Sequence, residues 1–361
     1  MEGGRSDDSL KKDRSQPQIG FCVSRDYYPG LLGLVTHRLQ FAPDDVAFIR
    51  FHLKDIDFDN LQVKGDKFHK DTGEWKEGVF PIPDVVYMQC SANREDIKRI
   101  EDVIGHNVFN SFIFDKWQGW NLLNNDKELR GHLPNTQLYQ NNIDLINFLN
   151  KYHYKDVILK PIFGYSSEGI FRIKFQENEK IQLLQKQGLK MEMQEFTNYK
   201  EFWDFLSLNI HYGSYIIQQS IETIKQRENV SDIRLNMNKN SKGQWEVSLL
   251  LFRVATNSSI VIPLSISVFN LENFTKSSIY EKEKMGDIEK SIINLGHKIC
   301  HAFDKSGYHM ADLGIDLGMD ENGHLWIFEV NPLPHPTLGS VRDYSLTRPV
   351  EYALYLASKR S

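Results

Sequence analysis

Apolar residues recur along the chain at two spacings: clustered or alternating over short runs, and at every third or fourth position over longer ones. These are the periods of β-strands and of amphipathic helices. Ile19-Gly20-Phe21-Cys22-Val23 and Asp45-Val46-Ala47-Phe48-Ile49-Arg50-Phe51 read as strands, Asp71-Thr72-Gly73 as a turn joining two more, and Pro81-Ile82-Pro83-Asp84-Val85-Val86-Tyr87 as another. Helical patterning follows over 95–103. This alternation predicts an α/β domain over 18–112. Ahead of it, 1–17 is charged and polar with a Gly3-Gly4 pair, and reads as a disordered lead-in.

Beyond that domain, 114–154 reads as helical with polar breaks. Lys116 opens the stretch, and Leu133-Pro134-Asn135-Thr136 marks a stop before a helix through Ile143, Ile146 and Leu149. Val157-Ile158-Leu159-Lys160-Pro161 and Ile170-Phe171-Arg172-Ile173 are strands around a Gly/Ser loop. Asn198 and Glu201 stand at capping-box spacing before a helix carrying Phe202, Phe205 and Leu206. Ser214-Tyr215-Ile216-Ile217-Gln218-Gln219-Ser220-Ile221 is an apolar strand running into two glutamines. Asp232-Ile233-Arg234-Leu235 starts a strand that pairs, across Lys242-Gly243, with Trp245 to Arg253. Ile288, Ile292, Leu295, Ile299 and Phe303 mark a core helix, and 348–358 a closing one. Two further subdomains are expected, 113–221 and 222–361.

The most informative stretch is Gly314-Ile315-Asp316-Leu317-Gly318-Met319-Asp320-Glu321-Asn322-Gly323-His324-Leu325-Trp326-Ile327-Phe328-Glu329-Val330-Asn331-Pro332. Asn322-Gly323 between apolar-rich runs is a strong hairpin signal. A two-residue turn there sets Asp316 directly opposite Glu329, with Asn331 on the same face. A three-residue loop would change the parity and turn Asp316 away. Like charges held opposite one another are destabilising, unless a cation lies between them. Two carboxylates and an amide oxygen are a hard-oxygen set suited to Mg²⁺. The alternative is that these acids pair with Lys or Arg on a solvated face.

Composition narrows the classes. The chain has 361 residues, 40% hydrophobic and 25% charged, with a net charge of −5 and no sustained basic tract, so nucleic acid and anionic membrane are poor partners. Neither a membrane-spanning apolar run nor a signal-peptide core is present. Cys22, Cys90 and Cys300 are widely separated and give neither a disulfide framework nor zinc spacing. His297, His301, His309 and His335 show no ligand spacing. A cytoplasmic protein is expected. Arg25, Asp26, Gly30 and Gly33, after the first strand, either touch a ligand or are turn residues.

Some local signals concern anions. Lys160 ends its strand beside Ile162-Phe163-Gly164-Tyr165-Ser166-Ser167-Glu168-Gly169, a tip whose backbone N–H groups can meet phosphate oxygens. A lysine adds a mobile point charge for phosphate. It is not a Walker loop, lacking Gly-Lys-Ser/Thr and a following helix, and it equally fits a plain turn. Gln218 and Gln219 can read a base edge or simply be solvated. Asp232 and Arg234 share a face, which fits a salt-bridged pair.

In order, a strand-end lysine, a Gly/Ser hairpin, a hinge strand, an Asp-x-Arg strand and Asp…Glu-x-Asn resemble the ATP-grasp superfamily, over about 116–334. Leu133-Pro134-Asn135-Thr136, Leu159-Lys160-Pro161, Gln218-Gln219-Ser220-Ile221, Asp232-Ile233-Arg234 and Leu313-Gly314-Ile315-Asp316 are more narrowly similar to the endospore coat-associated YheC/YheD family, as is Pro83-Asp84-Val85-Val86-Tyr87. The resemblance implies a mixed α+β and α/β fold. Two α+β subdomains would grip ATP behind a small α/β pre-grasp domain. It implies that Lys116 and Lys160 meet the nucleotide, and that Gly164, Ser166, Ser167 and Gly169 belong to a loop closing over its phosphates. Gln218, Gln219 and Ile221 would lie at the adenine hinge and Asp232 near the ribose. Arg234 and Arg253 would face phosphate or a substrate carboxylate, and Asp316, Glu329 and Asn331 would hold Mg²⁺, as one or two ions.

The implied activity is an ATP-dependent carboxylate–amine ligase acting on small-molecule substrates through an acyl phosphate. A homodimer and spore-coat association are left open. One departure stands out: where relatives carry an Asn-Leu segment leading to Gly-Gly, this chain reads Ile260-Val261-Ile262-Pro263-Leu264-Ser265-Ile266-Ser267-Val268, which bears on substrate and turnover. Alternatives are a small-molecule kinase, or a coat-associated ATP-binding or structural protein with little turnover.

Overall fold

The computed structural model describes residues 16–24, 35–39, 42–164, 168–177, 180–187, 190–226, 229–255, 266–269, 282–334 and 344–359. Arg25, Asp26, Gly30, Gly33, Ser166, Ser167 and His335 lie outside these residues. So do the 1–15 part of the expected lead-in and the 260–265 part of the divergent segment. The chain divides into two units, one of Met1–Ser111, Asn240–Gly243 and Leu346–Ser361, the other of Phe112–Lys239 and Gln244–Ser345.

The first unit is built on a six-stranded sheet. Its strands are β1 (Gln18–Val23), β2 (Ala47–Asp57), β3 (Gln62–His69), β4 (Glu74–Pro81), β5 (Val85–Gln89) and β6 (Val108–Phe109), in the order β4-β3-β2-β1-β5-β6. β1 runs parallel to β2 and β5, and β5 parallel to β6. Parallel strands need covered faces, and β1 and β5 are accordingly apolar along nearly their whole length. α1 (Arg94–Ile104) starts where the Asn93 side chain accepts from the Asp96 amide, and it buries Ile97, Ile100 and Ile104. The C-terminal helix, Arg348–Ser358, sits in this unit rather than with the last subdomain, and sets Tyr352 edge-on to Phe109 at 5.2 Å.

The second unit holds two sheets. α2 (Lys116–Asn124) is started by an Asp115–Gln118 capping box. β7 (Thr136–Tyr139) follows, then α3 (Asn142–Tyr152), β8 (Asp156–Pro161), β9 (Phe171–Phe175), β10 (Ile181–Gln187) and β11 (Lys190–Phe196). α4 (Tyr199–Asn209), capped by Asn198, leads to β12 (Tyr215–Gln219). The sheet order is β11-β10-β9-β8-β12-β7. Leu133-Pro134-Asn135-Thr136 is therefore no helix stop. It opens a strand that pairs with β12, so 114–154 is helix, strand and helix.

The remaining sheet comprises β13 (Lys225–Gln226), β14 (Asn229–Lys239), β15 (Trp245–Ala255), β16 (Ile266–Phe269), β17 (Asp312–Met319) and β18 (Leu325–Asn331). Its path is β16-β15-β14-β17-β18, with β13 on β14. α5 (Lys282–Lys305) covers one face through Ile292, Leu295, Ile299 and Phe303, all at most 3% exposed. Each such side chain contributes about 1.5–3 kcal/mol by leaving water. Among the described residues, no helix is long and apolar enough to cross a membrane.

Candidate functional site

The site lies on the face of β14, β15, β17 and β18 opposite α5, and it depends on how β18 pairs with β17. The tip is not a two-residue turn. Asp320 N–H donates to His324 O at 3.0 Å, and Gly323, at φ +79°, donates to Asp320 O. Three residues, Glu321 to Gly323, thus form the loop, the type I turn with a left-handed glycine typical of such hairpins. This changes the parity, so Met319 faces Leu325 and Leu317 faces Ile327. A β-bulge then inserts Phe328, and beyond it Asp316 again opposes Glu329 and Gly314 opposes Asn331. The cause is burial: the tip register sends Leu325 and Ile327, 5% and 2% exposed, into the core. The bulge leaves two consecutive side chains, Phe328 and Glu329, on the site face. Gly318 makes room, since a Cβ there would stand 2.2 Å from the Phe328 ring.

Directly opposed residues then form a chain of charges. Asp232 faces Arg253 across β14–β15, and Arg234 faces Asp316 across β14–β17. Asp232 accepts from Arg253 Nε and Nη2 at 2.6 and 2.5 Å. The expected Asp232–Arg234 pair is not formed. Asp316 Oδ1 accepts from Arg253 Nη2 at 2.8 Å and Arg234 Nη1 at 3.0 Å, and its Oδ2 from Asn331 Nδ2 at 3.3 Å. Arg234 Nε donates to Asn236, and its Nη2 lies over Gly314, where a Cβ would come within 2.3 Å. Among the described residues, Arg234 Nη2 and Arg253 Nη1 have no acceptor.

Burial and these neighbours tune the acids differently. Asp316 is held below the usual carboxylate range, because the two guanidinium groups outweigh its burial. Asp232 is pushed up to about 6 by burial, despite Arg253. Burial also raises Glu329, with the Asp316 charge adding and Lys116 and Lys160 opposing. Arg253 is raised: burial opposes, but Asp316 and Asp232 prevail.

Two lysines join, one from the other sheet and one from α2. Lys160, at the end of β8 and 7% exposed, donates to Gln218 Oε1 at 2.6 Å. Its ammonium stands 5.7 Å from the Phe328 ring centre, and burial lowers its pKa to about 8. Gln218 in turn donates to Thr136 Oγ1 at 3.1 Å, which fixes the amide with its oxygen toward Lys160. Lys116, the first residue of α2, donates to Gly164 O at 2.9 Å and stands 3.5 Å from Glu329. Gly164 and Gly169 have positive φ. Gln219 accepts from the Asn135 amide at 3.2 Å, and Ile221 lies half-buried two residues beyond β12.

Lys116, Lys160, Gln218, Arg234, Arg253, Asp232, Asp316, Glu329 and Asn331 therefore belong to one linked set of contacts. Phe328 and Thr136 join it without having been foreseen; the only sequence trace of Phe328 is a Phe-Glu pair that breaks alternation. Among the described residues no three His, Cys, Asp or Glu cluster, so the acid pair is completed only by the Asn331 amide.

Comparison with known proteins agrees with this architecture. The model of the family described as YheC/D like ATP-grasp matches residues 105–356. The chain is 28% identical over 310 residues to the endospore coat-associated protein YheD of Bacillus subtilis, covering 79% of this chain and 65% of that protein. It is 24% identical over 305 residues to YheC of the same organism, covering 81% and 82%. The VanG D-Ala:D-Ser ligase from Enterococcus faecalis is similar in fold, with a TM-score of 0.57 at 12% identity over 94% of this chain and 97% of that one.

Proposed function

The chain belongs to the YheC/D like ATP-grasp family, and from that membership and its charge arrangement we propose that it is an ATP- and Mg²⁺-dependent carboxylate–amine ligase. The observation that carries this is the convergence of Lys116, Lys160, Arg234 and Arg253 around two opposed carboxylates, Asp316 and Glu329, on one sheet face. Such a face suits a polyanion held beside a metal ion. The donor set fits that ion: Glu329 carries a carboxylate under strain from Asp316, and Asn331 adds an amide oxygen. Asp316, Glu329 and Asn331 would hold Mg²⁺, which when bound neutralises phosphate charge.

In the reaction, a substrate carboxylate oxygen attacks the γ-phosphorus and the bond to the β-phosphate oxygen breaks, releasing ADP. The amine nitrogen then attacks the acyl carbon, phosphate leaves, and the nitrogen loses a proton to solvent. The chain supplies position and charge rather than a nucleophile. Lys116 and Lys160 neutralise phosphate oxygens, and the open Nη groups of Arg234 and Arg253 orient the carboxylate. Gln218 and Gln219 flank the base, and Asp232 steadies Arg253. The VanG relative is by its name a ligase, and the coat association in the names of YheD and YheC is extended here to this chain.

The test is ADP release on a panel of amino acids and dipeptides with MgATP, with and without hydroxylamine. Hydroxamate accumulating with ADP supports the ligase. ADP release with neither hydroxamate nor free phosphate means phosphorylation of a hydroxyl, ADP with an equal amount of free phosphate and no hydroxamate means transfer to water, and no nucleotide binding at all refutes the assignment.

A further inference from the structure

Lys186 is a buried cation that none of the roles above uses. Its side chain is 3% exposed, and its ammonium stands 2.7 Å from Glu168 Oε1. Burying an ammonium is costly unless it is paired, so its position calls for a cause.

The sheet register supplies one. Leu184 pairs with Arg172 on β9, and Arg172 with Ile158 on β8. Gln185 and Leu159 both pair with Phe171, the first residue of β9, and Lys186 and Lys160 each follow one residue beyond it at the same level. Ile181 and Leu183 on β10, like Val157 and Leu159 on β8, point into the core. Lys186 and Lys160 therefore stand on the opposite, shared face, two strand spacings or roughly 10 Å apart. Glu168 comes down onto this row from the arm that returns to β9, immediately before Gly169 with its φ of +70°. The Cβ of any other residue at 169 would meet Tyr215 Oη at 3.0 Å.

We infer that Lys186 is a positioning residue for the nucleotide: through Glu168 it fixes the Glu168–Gly169 arm above the Lys160 row. It touches no phosphate itself, since its ammonium is enclosed and already engaged. This rests on the nucleotide-binding reading above. The pair ties a loop to the sheet and not one strand to another. Here a buried strand lysine reaches a carboxylate that is itself 58% exposed on a loop.

The experiment is ADP binding by calorimetry, with thermal unfolding alongside, for wild type, Lys186→Met, Lys186→Arg, Glu168→Gln and the Glu168→Gln/Lys186→Met double variant. Each of Lys186→Met and Glu168→Gln should weaken ADP binding about tenfold, with the double variant no weaker than Lys186→Met, as coupled partners behave. Lys186→Arg should recover most of the affinity. Melting temperatures should stay close to wild type for Lys186→Met and Lys186→Arg, whereas Glu168→Gln, which leaves the buried ammonium without its carboxylate, should melt lower. Unchanged ADP affinity in Lys186→Met, or losses that add in the double variant, would overturn the inference. If wild type itself binds no ADP, it is the nucleotide reading that fails.

Discussion

Replacing Lys160 by methionine should stabilise the fold at neutral pH while removing nucleotide affinity. Burial lowers the Lys160 pKa from 10.5 to about 8. At 1.36 kcal/mol per pH unit this is a penalty of about 3 kcal/mol on the charged lysine. Below pH 8 the lysine is charged both folded and unfolded, and the penalty acts in full. Between pH 8 and 10.5 the unfolded chain binds more protons than the folded one, so stability rises with pH and the penalty fades. Methionine removes the penalty but orphans Gln218 Oε1, which accepts from Lys160, at a cost of about 1–3 kcal/mol at every pH. The variant should therefore gain about 0–2 kcal/mol at pH 7 and lose about 1–3 kcal/mol above pH 10.5. Urea unfolding followed by circular dichroism at both pH values measures the difference between the two proteins, in which titrations not coupled to Lys160, as that of Glu329 is, cancel. A stability difference that does not move between the two pH values would refute the buried-ammonium argument. Failure of the variant to lose ADP binding would remove Lys160 from the phosphate site.

Other substitutions probe neighbouring links. Gly318→Val should drive the Phe328 ring off Lys160, because even a Cβ at 318 lies 2.2 Å from it; ADP affinity should drop about tenfold, the order of a lost cation–π and packing contact, read by calorimetry. Gly314→Ala puts a methyl 2.3 Å from Arg234 Nη2; it should cut turnover with ADP affinity little changed, and steady-state kinetics separate the two. Asp316→Asn and Glu329→Gln should each abolish Mg²⁺-dependent ADP release while circular dichroism stays native, and retained turnover in both would defeat the metal assignment.

Much of the site was legible because its determinants are local. Asp316, Glu329 and Asn331 are fixed by one hairpin, and Lys160 by the end of an apolar strand. Even there the pairing came out as expected by a different route, since the three-residue loop and the bulge at Phe328 offset each other. What escaped depends on register between distant segments. Asp232 prefers Arg253 to Arg234 only because β14 and β15 align them, and nothing local encodes that. The hairpin of β10 and β11 is masked in the sequence because Gln182, Gln185, Lys186, Glu192 and Gln194 dilute its apolar alternation. Thr136 was hidden in a segment whose proline suggested an ending. The C-terminal helix was read at its observed bounds, but which unit it joins is set by its contacts with Phe109 and not by its own sequence.

The insertion at Phe328 makes β18 two short strands spliced out of phase. The distal piece takes its orientation from the hydrophobic interior, the proximal piece from the charged partners on β17. Deleting Phe328 would restore simple alternation and still leave Glu329 against Asp316, at the expense of the aromatic beside Lys160. Turn and splice together set the phase, so a one-residue change at the hairpin's far end has to be matched at the splice for the acids to stay face to face.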